Sequence, residues 1–537
     1  MAREYWGDQR TLGYMLHDVA KDNLNKVFVF FKEEKVTYGE LDEKTNRMAN
    51  ALLTMGVKKG DRVAVMLPNC TEFVFVQFAV AKAGAIQTPL NTGARERQLT
   101  HFINNSDPEI LIIDQQYLPL LKGIEDTIDR LPKLIVVSRT PQEEKITFRR
   151  SFDVTPFQKL FEGSPELPRV EVKRTDPVDI LYTSGTTGLP KGVLLSHNHH
   201  WLFAALYAEM GRLNPQDIMY TYLPYFHGLS QMMCTLPALM AEASIALSER
   251  FSASRFWDEV RKYGATTTQT LFAIPSILMK QPEKPNDADH PMKFMFCSGI
   301  SPEIAFAFQK RFHVMLLNQY GMTESHTVAY APYGEFRLGA VGPINKRYFE
   351  VKIVDEEDEE VARGAVGEII SRAKQPHTQM IGYWKNPEAT LEMFKNQWLH
   401  SGDLGYLDEN QWLHFVGRKK EGIRRRGEFI SPSDVESEIT MHPSVDECAA
   451  IAVPSELGED EVKVVIVLKK GKKLSHPELF AYCKERMPKY MVPRYIEIKE
   501  ALPKTETERV QKVKLKEEGI TPDTWDSEKA QADPKKS

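Results

Sequence analysis

Residues 182–192 read Tyr-Thr-Ser-Gly-Thr-Thr-Gly-Leu-Pro-Lys-Gly, a run made almost entirely of glycines, small hydroxylated residues and a Pro-Lys-Gly turn. Glycines permit positive φ angles and allow the backbone to approach a ligand closely. Hydroxyl donors from Thr183, Ser184, Thr186 and Thr187 and the positive charge of Lys191 suit phosphate oxygens. Predicted strands at residues 178–182 and 193–196 flank the run, which argues against a flexible linker. The pattern indicates a loop that binds polyphosphate.

The P-loop of nucleotide hydrolases is an alternative interpretation of this run. That motif requires Gly-Lys followed by Ser or Thr and then a helix. Here Lys191 is followed by Gly192 and then by β-branched and apolar residues that predict a strand. The P-loop interpretation is therefore rejected.

Length and composition narrow the class of protein. A chain of 537 residues is too long for one compact core and predicts at least two domains. The net charge of −5 gives no electrostatic reason to expect nucleic acid. Five cysteines without Cys-x-x-Cys spacing predict neither a disulfide framework nor a zinc site. With no signal peptide or transmembrane run apparent, we expect a cytoplasmic protein, and the sequence carries no signal for its oligomeric state.

The hydrophobic pattern predicts an α/β fold for the large N-terminal part. Short apolar runs without polar alternation, separated by segments of helical length, are typical of parallel sheets with helices on both faces. Before the loop the predicted strands are residues 62–67, 86–90, 110–113 and 134–137, with helices at 72–83 and 96–104. After the loop the predicted strands are residues 217–223, 244–247, 267–271, 294–297 and 316–319.

A dense cluster of charges at residues 418–427 marks the predicted domain boundary. Beyond it the pattern predicts a small α+β domain, with helices at 432–440 and 477–486 and strands at 449–453, 462–468 and 495–498. We therefore expect a large domain at residues 1–417, a hinge at 418–421, a small C-terminal domain at 422–516 and a polar tail at 517–537.

The loop is followed, in order, by three further motifs: Gln319-Tyr320-Gly321-Met322-Thr323-Glu324, Gly402-Asp403 after Trp398, and Gly417-Arg418. This series resembles that of the adenylate-forming superfamily, which includes acyl-CoA synthetases, adenylation domains of peptide synthetases and luciferases. The resemblance covers roughly residues 30 to 515, and the order of the motifs carries it, because each motif alone is unspecific. It implies that the small domain is mobile and rotates on the large one about a hinge at Lys420.

The resemblance also implies roles in nucleotide binding. Tyr320 stacks on adenine, Thr323 bonds the α-phosphate, and Glu324 holds Mg²⁺ as a hard oxygen ligand. Asp403 accepts hydrogen bonds from both ribose hydroxyls, and Arg418 reaches ribose or phosphate. The remaining nucleotide-binding residues are Thr183, Ser184, Gly185, Thr186, Thr187, Gly188, Lys191, Ser298, Gly299, Ile300, Gln319, Gly321 and Met322.

The run Tyr222-Leu223-Pro224-Tyr225-Phe226-His227-Gly228 resembles the family's Pro-x-x-His aromatic motif beside the acyl pocket. His227 is accordingly expected to be a gate or pocket residue and to act in catalysis. The predicted pocket lining is apolar to amphipathic and suits an aliphatic or aromatic acyl group. It consists of Trp201, Phe203, Tyr207, His227, Leu229, Met233, Gly321, Met322 and Thr327.

Three histidines, His197, His199 and His200, form a possible metal cluster. Adjacent histidines usually point in different directions, and no carboxylate or cysteine lies nearby in the sequence. The family also has a Ser-His pair at this point. We therefore do not predict a metal site there.

The C-terminal part resembles the family in one loop and departs from it in another. Arg426, Gly427 and Glu428 resemble the loop that enters the active site for thioester formation with coenzyme A. Near the end the family pattern is Pro-Lys-Thr-x-Thr/Ser-Gly-Lys, whose last lysine acts in adenylation. Here Arg509 stands in place of that lysine, and it keeps the charge but not the compact shape of an ammonium group. Lys504, Lys512 and Lys514 are possible substitutes.

The resemblance predicts an AMP-forming acyl-CoA ligase with catalytic residues Lys191, Thr323, Glu324, His227 and Arg509. ATP, Mg²⁺ and coenzyme A would serve a small-molecule carboxylic acid. Crotonobetaine/carnitine-CoA ligase-like members are nearest, although the sequence shows no aromatic cage for a quaternary ammonium group. Three alternatives stay open: luciferase-like chemistry, loading of a carrier protein, and a weakly catalytic nucleotide-binding relative in which Arg509 impairs adenylation.

Overall fold

The computed structural model describes residues 3–139, 147–183, 189–271, 273–299, 302–335, 337, 339–419, 421–425, 428–455, 460–505 and 510–532. The chain divides into two compact units. The first comprises Met1–Val351 and Ser371–Leu399, and the second comprises Lys352–Ile370 and His400–Ser537. The second unit thus includes residues 400–417 as well as the C-terminal segment. The domain bounds given above and the hinge at Lys420, which lies outside the described residues, remain predictions.

The first unit contains two mixed, mainly parallel sheets, as the hydrophobic pattern predicts. One has eight strands, of which six neighbours in the middle run parallel and the two edge strands pair antiparallel. In spatial order these strands are His326–Tyr330, Met315–Met322, Phe294–Cys297, Thr267–Gln269, Ile218–Thr221, Ser244–Leu247, Val27–Phe31 and Glu34–Thr37.

The second sheet carries the predicted phosphate loop. Six neighbouring strands pair in parallel, and at one edge two further strands each pair antiparallel with the strand before them. The spatial order is Gly382–Tyr383, Lys191–Ser196, Pro177–Thr183, Ile86–Pro89, Arg62–Met66, Ile110–Asp114, Lys133–Val137 and Val154–Pro156. We call the pair Pro177–Thr183 and Lys191–Ser196 the phosphate-loop hairpin.

Helices cover these sheets, and two of them are buried on nearly every side. Thr71–Lys82 and His197–Met210 are largely apolar around their whole circumference, which is the pattern of a helix inside a core. Local signals define helix starts: Ser196 caps the second of these by accepting from the His199 amide. The α-helices are Leu12–Asp22, Tyr38–Thr54, Thr71–Lys82, Glu96–Ser106, Leu118–Ile124, His197–Met210, Gly228–Ser230, Leu236–Met240, Phe256–Tyr263, Ala273–Met279, Pro302–Phe312 and Pro387–Met393.

The second unit is smaller and mixed. Its C-terminal sheet has the spatial order Val445–Pro454, Asp460–Leu468, Tyr495–Lys499 and Trp525–Asp526. Helices of this unit are Pro432–Thr440, His476–Arg486, Lys512–Glu518 and Ser527–Ala532. Further short strands of the chain are Gly342–Pro343, Phe349–Val354, Gly367–Ala373, Phe394–Lys395, Trp398–Leu407, Trp412–Arg418, Ile423–Arg425 and Glu428–Ile430. The predicted helices and strands of the small domain are therefore present.

Within the described ranges, no helix combines the length and the apolar character needed to cross a bilayer. All five cysteines are described, and each is a free thiol. The cytoplasmic location expected from the sequence remains a prediction.

The core of the first unit contains buried imidazole rings. The rings of His199 and His326 lie 4.2 Å apart, and His326 also packs 4.0 Å from the Phe203 ring. His199 Nε2 donates to the Thr323 carbonyl at 3.0 Å, so its neutral form is held in one tautomer. Burial holds the pKa of both histidines well below the ordinary value. Both rings are therefore neutral in the folded protein at neutral pH.

The lowered pKa values of His199 and His326 predict that the folded protein loses stability at mildly acid pH. The unfolded chain takes up a proton on each histidine as pH falls below about 6.5, whereas the folded chain does not. Stability is therefore fully present above that value and is lost below it, by about 1.4 kcal/mol per buried histidine at pH 5.5. We expect thermal unfolding to show a lower midpoint at pH 5.5 than at pH 7.5, and His326→Phe to reduce this difference. The exposed His313→Asn variant is the control; an equal pH response in all three proteins would contradict the prediction.

Candidate active site

The phosphate-loop hairpin places Thr183 and Lys191 opposite each other at the end where the loop joins the two strands. Lys191 begins a strand and not a helix, as expected from the rejection of a P-loop. A side chain at Gly192 would bring its Cβ within 2.7 Å of Ile180 Cγ2, so only glycine allows this close strand pairing. The loop residues Ser184, Gly185, Thr186, Thr187 and Gly188 lie outside the described residues.

A tight hairpin turn carries Thr323 and Glu324. It joins the antiparallel strands Met315–Met322 and His326–Tyr330, and we call residues 323–325 the Glu324 turn. A Cβ at Gly321 would lie 2.2 Å from the His326 carbonyl oxygen, which explains the glycine at this close crossing. Tyr320 lies half-buried within the first strand, near its end. Glu324 is only 6% exposed, and its Oε1 accepts a hydrogen bond of 2.9 Å from the Tyr383 hydroxyl.

Residues 380–384, which we call the bridging segment, connect the Glu324 turn to the phosphate-loop hairpin. The Met380 amide donates to the Glu324 carbonyl at 2.9 Å, and the Ile381 amide donates to the Leu194 carbonyl at 2.8 Å. The Lys191 Nζ lies 4.9 Å from the centroid of the Tyr383 ring. The structure therefore brings Lys191, Thr323 and Glu324 to one place. Tyr383 was missed from the sequence, where the short Gly-Tyr-Trp run at 382–384 was its only signal.

The glycine turn after strand Phe294–Cys297 lies beside Tyr320's strand. Gly299 has a φ of +71°, and its amide donates to Asn318 Oδ1 at 3.3 Å. Ser298 is half-buried and Gly299 is exposed, so the turn borders solvent at the carboxyl edge of the sheet, where α/β proteins bind ligands. Ile300 of this predicted adenine contact lies outside the described residues.

Part of the predicted acyl pocket forms a continuous cluster. The Tyr207 hydroxyl donates to Gln319 Oε1 at 2.6 Å and lies 3.0 Å from Thr327 Oγ1. Phe203, one helical turn before Tyr207, packs on the same side. Gln319 in turn donates to Gln269 Oε1 at 3.1 Å, and all these polar side chains are buried. The predicted nucleotide residue Gln319 thus directs its amide toward Tyr207.

Trp201 is not part of this cluster. Residues two positions apart on a helix do not share a face, and Trp201 lies away from Phe203. The guanidinium carbon of Arg10 lies 3.5 Å from the centroid of the Trp201 ring and covers it. Arg10 itself bonds Asn198 Oδ1 and Gln375 Oε1.

His227 ends the loop that precedes the short helix Gly228–Ser230. Its Nδ1 accepts from the Leu229 amide at 3.3 Å, so the neutral ring carries its proton on Nε2. Burial lowers the pKa of His227 to about 4, which keeps the ring neutral at physiological pH. Met233 follows in a single π-helical turn, Gln231–Thr235, that packs against helix His197–Met210. Such turns are often found at functional sites.

The three neighbouring histidines point to separate partners. His197 Nδ1 accepts from the Leu12 amide at 3.3 Å, His199 bonds Thr323, and His200 Nε2 lies 2.6 Å from Asp179 Oδ2. In the part of the chain that the structure describes, no group of three or more His, Cys, Asp or Glu residues could hold a metal ion.

The second unit contains the predicted ribose site. Asp403 and Arg418 are paired across antiparallel strands, with Arg418 Nε 3.3 Å from Asp403 Oδ1. Asp403 is 5% exposed, and its amide donates to Ser401 Oγ at 3.0 Å. Gly402 before it has a φ of +69°, a conformation that favours glycine.

Several predicted residues of the C-terminal part are not described. Arg426, Gly427 and Arg509 lie outside the described residues, and Glu428 is described only as the first residue of strand Glu428–Ile430. Two of the possible substitutes for Arg509 are engaged: Lys504 Nζ lies 2.7 Å from Glu447 Oε1, and Lys512 Nζ lies 2.6 Å from Glu436 Oε1. Lys514 is exposed.

Comparisons with known proteins agree with the sequence resemblance. A family model described as AMP-binding enzyme matches residues 16–384, and one described as AMP-binding enzyme C-terminal domain matches residues 434–509. The crotonobetaine/carnitine–CoA ligase of Salmonella paratyphi B is 34% identical over 488 residues, which covers 89% of this chain and 93% of that protein.

Solved structures show the same fold. The anthranilate CoA ligase AuaEII, solved with anthranoyl-AMP, superposes with a TM-score of 0.85 at 25% identity over 94% of this chain and 96% of that one. ATP-bound MatB from Rhodopseudomonas palustris gives a TM-score of 0.85 at 25% identity over 95% and 98% of the two chains. The chain therefore belongs to the AMP-binding enzyme family, in its branch of AMP-forming acyl-CoA ligases.

Proposed function

We propose that this chain joins a carboxylic acid to coenzyme A in two steps. In the first, a carboxylate oxygen attacks the α-phosphorus of ATP, the bond to the β-phosphate oxygen breaks, and pyrophosphate leaves. In the second, the thiolate of coenzyme A attacks the carbonyl carbon of the acyl-adenylate and AMP leaves. Positioning and charge stabilisation are what such steps require of a protein.

One observation carries this proposal: the bridging segment holds the phosphate-loop hairpin and the Glu324 turn together. Lys191 and Glu324 are then connected through Tyr383, and Thr323 precedes Glu324 in the turn that follows the half-buried Tyr320. This set matches the needs of a nucleoside triphosphate, which presents an aromatic base, several anionic oxygens and a bound cation. Lys191 is proposed to bind the β- and γ-phosphates, and Thr323 the α-phosphate.

The residues present also fit Mg²⁺. Glu324 supplies a carboxylate, the ligand type that hard cations prefer. Mg²⁺ commonly binds one or two carboxylates together with substrate phosphates. When bound, Mg²⁺ would neutralise charge on the phosphate oxygens, and Glu324 would hold it.

The neutral His227 ring is proposed to border the acyl group, with its Nε2 proton as a hydrogen-bond donor. Asp403 is proposed to hold the ribose hydroxyls and Arg418 the ribose or phosphate. The thioester loop at 426–428 and the hinge at Lys420 remain proposals from the resemblance. We propose that Arg509 provides the cation of the adenylation step, because Lys504 and Lys512 already pair with carboxylates.

A screen of carboxylic acids tests the reaction itself. We expect release of pyrophosphate that depends on one class of acid, and formation of AMP that also needs coenzyme A. Pyrophosphate release without consumption of coenzyme A would instead favour luciferase-like or carrier-loading chemistry. ATP binding without pyrophosphate release for any acid would favour the weakly catalytic relative.

Removing the charge of Glu324 tests the nucleotide site. Glu324→Gln keeps the shape of the side chain but loses the carboxylate, and we expect pyrophosphate release to fall about 100-fold, as for the loss of a preorganised electrostatic group. Excess Mg²⁺ should restore part of the rate. The exposed Glu335→Gln variant is the matched control and should keep the parent rate. A Glu324→Gln variant as active as this control would contradict the assignment.

Shortening Tyr207 tests the acyl pocket. Tyr207→Ala removes a buried ring beside Phe203 and Thr327 and leaves space that a longer acyl chain can fill. Since each buried methylene contributes about 0.8 kcal/mol, three added methylenes should raise the kcat/KM of the longer acid about 10-fold or more relative to the parent's best acid. Trp201→Phe changes the opposite side of the same helix and should leave the ratio unchanged. A shift in Trp201→Phe but not in Tyr207→Ala would reverse the assignment.

A further inference from the structure

Tyr383 contacts both charged groups of the proposed nucleotide site, Glu324 and Lys191. Its hydroxyl donates to Glu324 Oε1 at 2.9 Å, and the face of its ring lies 4.9 Å from Lys191 Nζ. A cation over an aromatic face is attracted by the ring's quadrupole, and a hydrogen bond to a carboxylate fixes the orientation of its oxygens. One side chain therefore acts on a cation and on an anion at once.

The backbone around Tyr383 is firmly held, so its side chain has a defined position. Residues 382–383 pair with Leu194 and Val193 of the phosphate-loop hairpin. The Tyr383 amide donates to Thr390 Oγ1 at 2.9 Å, and the next amide, of Trp384, donates to the Gly192 carbonyl at 2.7 Å. The ring is 8% exposed. Because Tyr383 is anchored to the strand that begins at Lys191, it has a fixed register relative to that lysine.

The chemistry of the hydroxyl also suits a positioning role. An ionised carboxylate can only accept hydrogen bonds, so the Tyr383 hydroxyl is the donor in its contact with Glu324. The proposed reaction requires no proton from this hydroxyl.

We propose that Tyr383 is a positioning residue that orients Glu324 for the Mg²⁺ of the ATP complex through its hydroxyl and orients Lys191 for phosphate through its ring. This inference rests on the proposed function, because it takes Glu324 and Lys191 as the groups that meet Mg²⁺ and the phosphates. The two contacts can be tested separately, because Tyr383→Phe keeps the ring and removes only the hydroxyl.

Calorimetric titration of the full-length protein with ATP, with and without Mg²⁺, distinguishes the hydroxyl contact from the ring contact without measuring catalysis. For Tyr383→Phe we expect ATP affinity without Mg²⁺ to stay within about twofold of the parent, because the ring remains. The gain in affinity that Mg²⁺ gives should shrink about 10-fold, because a hydrogen bond to a charged group is lost. For Tyr383→Leu we expect affinity to fall severalfold in both conditions, because the Lys191 contact is lost as well.

Trp384→Phe is the matched control. Trp384 directly follows strand Gly382–Tyr383, and its indole donates to the Asn105 carbonyl at 2.9 Å. Trp384→Phe should perturb this segment to a similar degree and leave unchanged the gain in ATP affinity that Mg²⁺ gives. If Tyr383→Phe matches Trp384→Phe in both titrations while the parent binds ATP, the positioning role is overturned and the proposed function stands. If the parent itself fails to bind ATP, both are overturned.

Discussion

The pairing of strand Lys191–Ser196 on both of its sides is the constraint on which the site depends. On one side it forms the phosphate-loop hairpin with Pro177–Thr183, and on the other it pairs with Gly382–Tyr383. The first pairing sets where the loop begins and ends. The second brings a segment from far along the chain next to Lys191, and that same segment bonds the Glu324 carbonyl. Without pairing on both sides of this strand, Lys191 and Glu324 would not be held near each other.

Helix His197–Met210, which follows directly after the hairpin, also helps to hold this arrangement of Lys191 and Glu324. Ser196 is the last residue of the strand and caps the helix. The buried helix therefore begins directly after the strand, with no loop between them. His199 then bonds the carbonyl of Thr323, and Tyr207, two turns further, bonds Gln319. One continuous strand-helix unit therefore pairs within the phosphate-loop hairpin, bonds the Glu324 turn and bonds Gln319 of the proposed acyl pocket. Its interior carries neutral imidazoles and amides because each charged alternative would be costly to bury.

The fold could be predicted from the sequence because its strands are buried on both faces and leave an unmistakable apolar run. The strands at 62–67, 110–113 and 294–297 were predicted from such runs, and the structure places strands there. Tyr383 could not be predicted, because its importance comes from pairing with Val193, and two-residue strands leave no periodic signal. The orientation of Trp201 was equally hidden. Sequence places it near Phe203, but only the packing of the helix shows that Arg10 covers it.

The arginine at position 509 is best understood through the lysines around it. Lys512 pairs with Glu436, whose Oε1 also accepts from the Ala450 amide at 2.7 Å. Burial raises the pKa of Glu436, so its ionised form depends on that lysine and on the amide. Withdrawing Lys512 to serve a phosphate would leave a half-buried carboxylate without its cationic partner. Lys504 pairs with Glu447, and this pair is more exposed. Breaking it costs less free energy, but Lys504 still has a carboxylate partner. Arg509, which we propose as the cation of the adenylation step, stays charged at any physiological pH and requires neither lysine to leave its carboxylate.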